Sequence, residues 1–129
     1  MSKLAHHILR IGLGIMFLWI GILIYRAPDA WANFIQPWAV NLLPESPHNI
    51  MVQTAFLDMA IGFFLLIGVY TWLIALVATF HLITILIASG IDDVTVRDIG
   101  LVVATLTLFL ETLPANLKVK LANFLHVQG

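Results

Sequence analysis

The sequence predicts an all-α protein, a transmembrane four-helix bundle with one short interfacial helix between the first and second spans. Three observations carry that prediction. Of 129 residues, 61% are hydrophobic and only 10% are charged, and the mean hydropathy is +1.02; a water-soluble domain of this length covers its core with far more polar surface. Four apolar runs, 8–25, 50–69, 72–89 and 96–113, are each long enough to cross a bilayer with some tilt. Between the first two lies a proline-punctuated stretch too long for a turn and too apolar for a solvated loop. The spans use up most of the chain, so residues 1–129 are read as a single integral membrane domain.

The first run follows Lys3 and Arg10 and so imitates a secretion signal, but no convincing small-residue cleavage site comes after it and it is read as a mature helix. In the connection 26–49, Trp31, Phe34, Ile35 and Trp38 recur at steps of three, one and three. That spacing puts all four on one face of a short helix between Pro28 and Pro44, kinked or ended by Pro37. Indoles favour headgroup depth, which makes Trp31 and Trp38 interfacial anchors; the alternative is a lid over a site between the spans. Only a few residues around Val69, Tyr70 and Thr71 separate the second and third spans, so these form a tight helical hairpin. Pro114 stops the fourth, and Leu117, Leu121, Phe124 and Leu125 beside Lys118 and Lys120 describe an amphipathic helix on the membrane surface. The terminal segments hold Lys3, Arg10, Lys118 and Lys120, whereas the other connections hold Arg26 and Arg97 amid Asp29, Glu45, Asp92 and Asp93. By the positive-inside rule both termini are expected to be cytoplasmic, and the membrane is expected to be the cytoplasmic membrane of a bacterium or archaeon.

Composition also excludes function classes. A formal charge of −1 gives no basic patch for nucleic acid. The absence of cysteine removes disulfides, thiol chemistry, cysteine zinc sites and covalently attached haem. His6 and His7 are adjacent rather than four apart, and only one histidine lies well inside a span, so no metal site is expected and a bis-histidine haem would need two chains.

Charges in hydrocarbon are costly unless they are paired or face a cavity. Helical spacing groups Arg10, Gly14, Phe17 and Gly21 in the first span, and Ala55, Asp58 and Gly62 in the second. It likewise groups Val77, His81, Thr84 and Ala88 in the third, and Arg97, Gly100, Ala104, Thr107 and Glu111 in the fourth. Small residues beside the polar ones let helices approach closely, so these stripes are expected to face the bundle interior. Asp58 and His81 each lie eight residues from the same end of their spans, or roughly 12 Å deep at the rise of an α-helix. The two are therefore the candidate catalytic residues, an acid and an imidazole able to donate, accept and relay a proton. Arg97 and Asp98 open the fourth span on that side, within reach of Asp58, and Trp19 and Phe80 are candidate flat walls for a ligand. Arg10 and Glu111, at the opposite end, are expected to form a structural ion pair. Burial and the nearness of Arg97 act in opposite senses on Asp58, so its charge is left open.

The segment 9–21, LRIGLGIMFLWIG, resembles the opening of the DoxX family of small four-helix membrane proteins, with its arginine, spaced glycines and phenylalanine. Residues 57–68, LDMAIGFFLLIG, resemble that family's second helix, with Asp58 where glutamate is usual, and Arg97-Asp98-Ile99-Gly100-Leu101 resembles the start of its fourth. The basic residue that often closes the first helix is replaced by Ile24-Tyr25-Arg26. Named members of that family are small subunits of thiosulfate:quinone oxidoreductase or of terminal quinol oxidase complexes. The resemblance thus implies a quinone-linked membrane subunit with no covalently bound cofactor, accessory to an oxidoreductase, whose partners are the lipid bilayer and further copies or a redox complex.

Three functions compete at this point. In the first, Asp58 and His81 hydrogen-bond a quinone head group between the helices. In the second, the chain is a small oligomeric transporter or channel with Asp58 as coupling acid and Arg97 as gate; the spans lack the broken central helices and internal repeat common in transporters. In the third, it is a purely structural membrane partner.

Overall fold

The computed structural model describes residues 2–90 and 96–128. Asp92 and Asp93, which enter the charge comparison above, lie outside the described residues. Within them the chain forms α1 (Lys3–Arg26), α2 (Pro28–Ala32), α3 (Pro37–Val40), α4 (Pro47–Ile67), α5 (Thr71–Ser89), α6 (Val96–Thr112) and α7 (Ala115–Gln128), with no strand among the described residues. Three helices, α1, α4 and α5, are long and apolar enough to cross a membrane. At 17 residues α6 is shorter, and it meets α7 at a bend of 112°; the pair counts as a fourth span only if taken together.

Local signals set the helix ends. Ser2 caps α1 by accepting from Ala5 N at 3.1 Å, which starts the helix five residues before the apolar run does. Ser46 caps α4 in the same way, from Asn49 N at 3.3 Å, with Pro47 at the first helical position, where its missing N–H costs nothing. The hairpin between α4 and α5 turns on Gly68 (φ 75°) and Tyr70 (φ 48°), both left-handed. The connection after α1 departs from the expected single helix. Pro37 cannot sit inside a helix but can begin one, and Gln36 before it is extended (φ −69°, ψ 149°). Two short helices result, and Trp38 leaves the face shared by Trp31, Phe34 and Ile35.

The closest helix contact is α1 against α4, running antiparallel. Gly14 lies opposite Gly62, and seven residues on Gly21 lies opposite Ala55. A Cβ on Gly14 would meet Leu66 Cγ at 2.9 Å, one on Gly21 would meet Ala55 O at 2.7 Å, and one on Gly62 would run into the Leu18 backbone and lie 2.6 Å from Gly14 O. α6 packs mainly on α5, α5 touches α4, and α6 touches α1. Leu13, Phe17, Ile61, Leu65, Ala75, Ala78, Leu82 and Leu108 form the buried cluster where these helices meet.

The polar stripes of α1 and α4 point inward as expected: Gly14, Phe17, Gly21, Ala55, Asp58 and Gly62 are all buried. That of α6 does not. Arg97, Gly100 and Thr107 are exposed and a Cβ on Gly100 would meet open space, while Thr105 and Leu108 are the buried residues. The α6 helix turns its apolar line of Leu101, Thr105 and Leu108 to its neighbours, because that line fits the small residues Ala75 and Ala78 of α5. Outward, Ile8, Ile15, Trp19, Phe56, Phe63, Phe80, Ile87 and Val103 are all exposed. So continuous an apolar surface is what lipid contact requires and what soluble proteins avoid.

Gly62→Ala should destabilise the protein by about 1–3 kcal/mol through overpacking, whereas Gly12→Ala, where a Cβ meets nothing within 4 Å, should be neutral or gain up to about 1 kcal/mol of helix propensity. Thermal unfolding in detergent measures both; equal effects would contradict the packing.

Candidate functional site

Asp58 of α4 is 2% exposed, and its Oδ1 lies 2.9 Å from Nε2 of His81 on α5, whose side chain is 11% exposed. Both residues come from long helices whose backbone groups are already bonded internally, so the two side chains have to answer each other. The separation is short, but the N–H of the ring does not point along it. Among the described residues Nε2 has no aligned hydrogen-bond partner. The contact is therefore a close approach of acid and imidazole that leaves hydrogen-bonding capacity unused.

Above this pair opens a cavity of about 400 Å³. Phe17, Ile20 and Ile24 of α1, Ile50 and Met51 of α4, and Leu82, Ile85 and Ala88 of α5 form its walls. Trp31, Phe34, Ile35 and Leu43 from the connection close it at the end remote from the pair, and Arg97, Asp98 and Leu101 of α6 stand at its edge. Thr54 and Thr84 also face it, but their hydroxyls donate to Ile50 O and Phe80 O of their own helices. On the floor of the cavity the donors and acceptors presented to an occupant are thus those of Asp58 and His81.

Asp58, His81, Arg97, Asp98 and Trp31 all meet at one cavity. The partner that Asp58 finds is His81 of the neighbouring α5 rather than Arg97, which is exposed at the rim. Trp19 and Phe80 do not belong to the cavity: they are 64% and 62% exposed on outward faces. Flatness and hydrophobicity suit a ligand wall and a lipid face equally, and here helix phase assigns them to lipid. Trp38 is also outside, its indole N–H donating to Gln36 Oε1 at 3.0 Å.

At the other end Arg10 takes partners different from the expected Glu111. Its Nη1 donates to Leu65 O at 2.6 Å and Leu66 O at 2.9 Å, and its Nη2 lies 3.4 Å from His7 Nδ1. Those carbonyls belong to the last turn of α4, where acceptors are left over and the helix dipole is negative. The guanidinium lies over Gly68, 3.2 Å from where a Cβ would be. The Glu111 carbonyl accepts from Lys118 Nζ at 2.9 Å.

Two features have no sequence signal. Gln36 sits in the gap between α2 and α3, its backbone N–H donating to Ala88 O at 3.0 Å and its side-chain amide to Ser89 O at 3.2 Å. It thereby fastens the connection to the spare carbonyls of α5, and Gly90 suits the turn there because its φ of 71° is one that L side chains rarely adopt. Thr79 and Thr105, both buried, bring their hydroxyl oxygens to 2.9 Å and join α5 to α6.

A family model described as DoxX matches residues 5–91, two thirds of the chain, a stretch that includes Arg10, Asp58 and His81. The chain belongs to the DoxX family. Comparison with curated proteins and with solved structures gives no significant match. In this DoxX protein the matched stretch covers α1 to α5 and so most of the cavity, while the α6 rim lies beyond it. Among the described residues no group of three or more His, Asp or Glu is placed to hold a metal ion.

Arg10→Gln should cost about 1.5–3 kcal/mol, the range for hydrogen bonds to a charged group, with Arg10→Lys recovering only part because one ammonium does not reproduce the planar fork; thermal unfolding unchanged in both would show that the cap contributes nothing. Gln36→Ala should loosen the connection. With a cysteine introduced at Thr54 as the only thiol, a water-soluble maleimide should react about two- to tenfold faster, matching a net hydrogen bond of about 0.5–1.5 kcal/mol. An unaltered rate would mean that Gln36 does not hold the cavity closed.

Proposed function

We propose that this DoxX protein is a four-helix transmembrane subunit, α6 forming the fourth span, whose cavity binds a quinone or a similar apolar ligand with a hydrogen-bonding head. One observation carries the reading: a buried acid–imidazole contact forms the floor of an otherwise apolar cavity and leaves Nε2 of His81 without an aligned partner. Folding alone is served better by apolar residues or by a fully satisfied pair. A head-group oxygen would reach this buried pair once the imidazole turns toward the cavity, and its ring fits between Phe17, Ile20 and Leu82.

The residues have distinct parts. Asp58 accepts a proton when ionised and donates one when neutral; His81 serves as its partner in either state, because an imidazole can donate from one nitrogen and accept at the other. Together they would hold the head group and move a proton at its oxygen. A quinone, when bound, supplies two-electron redox chemistry, and the electrons belong to a partner subunit of a membrane redox complex. In this reading both termini face the cytoplasm, the cavity opens in the outer half of the bilayer, Trp38 lies at headgroup depth, and α7 lies along the inner surface with Lys118 and Lys120 toward the lipid phosphates.

Asp58→Asn should lower retention of quinone by the detergent-purified protein about tenfold or more, as expected for losing a hydrogen bond involving a charged group. His81→Phe, of similar volume, should weaken it too while the protein stays folded. Native mass spectrometry reports bound ligand and assembly together; normal retention in both variants would remove the pair from the site.

A further inference from the structure

We infer that the cavity is entered sideways from the bilayer, through the seam between α1 and α6, and that its occupant carries a long apolar tail that leaves through this seam. The inference rests on the cavity being a head-group site and adds the class of ligand, a lipid-tailed molecule rather than a compact one from water.

The walls of the cavity are joined to one another in different ways. Glycine contacts close α1 against α4, the Asp58–His81 contact ties α4 to α5, and the Thr79–Thr105 contact ties α5 to α6. The end remote from Asp58 is covered by the connection between α1 and α4, which is fastened in three places. Gln36 holds it to α5, Asp29 Oδ1 lies 2.8 Å from His48 Nδ1, and Gln53 Nε2 donates to Glu45 Oε2 at 2.6 Å. The seams α4–α5 and α1–α6 are both thinly packed, and Thr84 is exposed at the first, but the first is crossed by the Asp58–His81 contact at the cavity floor and the second by no such contact among the described residues. The buried cluster takes Leu13 and Phe17 from α1 and Leu108 from α6, with Leu101 packed against it. At the level of the cavity Met16, Ile20 and Leu23 of α1 and Leu101 of α6 line the space, and no polar contact joins the two helices among the described residues.

Exposure places the opening. Met16 and Leu23 line the cavity and are nonetheless 46% and 40% exposed, so they stand on its lip. The surface around them on α1, Ile15, Trp19 and Ile22, is the lipid face. Size gives the ligand class. A cavity of about 400 Å³ is near the small end of ligand pockets and encloses a head group, but not a chain of several isoprenoid units. An apolar seam below the polar rim of Arg97 and Asp98 gives such a chain an exit that needs no water.

The test compares a benzoquinone carrying a decyl tail with the same ring lacking it, on the full-length protein in nanodiscs. Binding is read by quenching of tryptophan fluorescence with Trp19, Trp38 and Trp72 replaced by Phe, leaving Trp31 at the cavity wall. The pair Met16→Phe with Leu101→Phe, which fills the seam, should weaken the tailed probe about tenfold and the tail-less probe by less than about twofold. Retained binding of the tail-less probe also shows that the variant folds, and Leu23→Phe at the lip is a milder change that should rank the probes in the same order. Equal weakening of both probes, or none of the tailed one, overturns the route while leaving the site in place. Failure of both probes to quench the unfilled protein overturns the head-group reading and the route with it.

Discussion

An aspartate carboxyl with 2% exposure in the middle of an apolar helix is the demand around which this molecule is arranged. Lipid supplies no hydrogen bonds, so everything that Asp58 needs has to come from the chain itself or from a bound molecule. His81 approaches it, which fixes the rotation of α4 against α5.

The other helix contacts follow the same constraint with different means. Between α1 and α4, glycines bring backbones so close that van der Waals contact holds them without polar groups. Between α5 and α6, two threonine hydroxyls meet in an otherwise apolar interface. The spare carbonyls at helix C-termini are covered by side chains from distant sequence, Arg10 on α4 and Gln36 on α5. Each cap also joins two parts of the fold, and Gln36 connects the covering segment of the cavity to a wall of it. The site is thus closed by the same bonds that satisfy the backbone.

Much of this was legible in the sequence because hydropathy and helical phase report directly on burial in lipid. The long helices, the hairpin around Val69 to Thr71, the inward faces of α1 and α4 and the shared depth of Asp58 and His81 all follow from spacing and depth. The family resemblance was carried by the same residues. Other features are not encoded in spacing. Trp19 and Phe80 looked like ligand walls because an aromatic ring is equally at home against lipid and ligand, and only the final rotation of each helix decides. The α6 stripe was assigned inward from its polar residues, whereas its apolar line met the small residues of α5. Arg10 has an obvious counter-ion in Glu111 but finds carbonyls, since backbone acceptors are invisible in a sequence. Gln36 was unreadable for the related reason that its partners are the main chain of Ala88 and Ser89.

The central claim is that a head group is held between α1, α4 and α5 on the Asp58–His81 contact. A structure of the detergent-solubilised protein with a bromine-labelled quinone tests it most directly, by locating the heavy atom from its anomalous signal. Bromine inside the cavity, between Phe17 and Leu82 and close to Asp58 and His81, is the predicted result. Bromine on the outward faces beside Trp19 or Phe80, with the cavity empty, would contradict the account and make the acid–imidazole contact a device of folding alone.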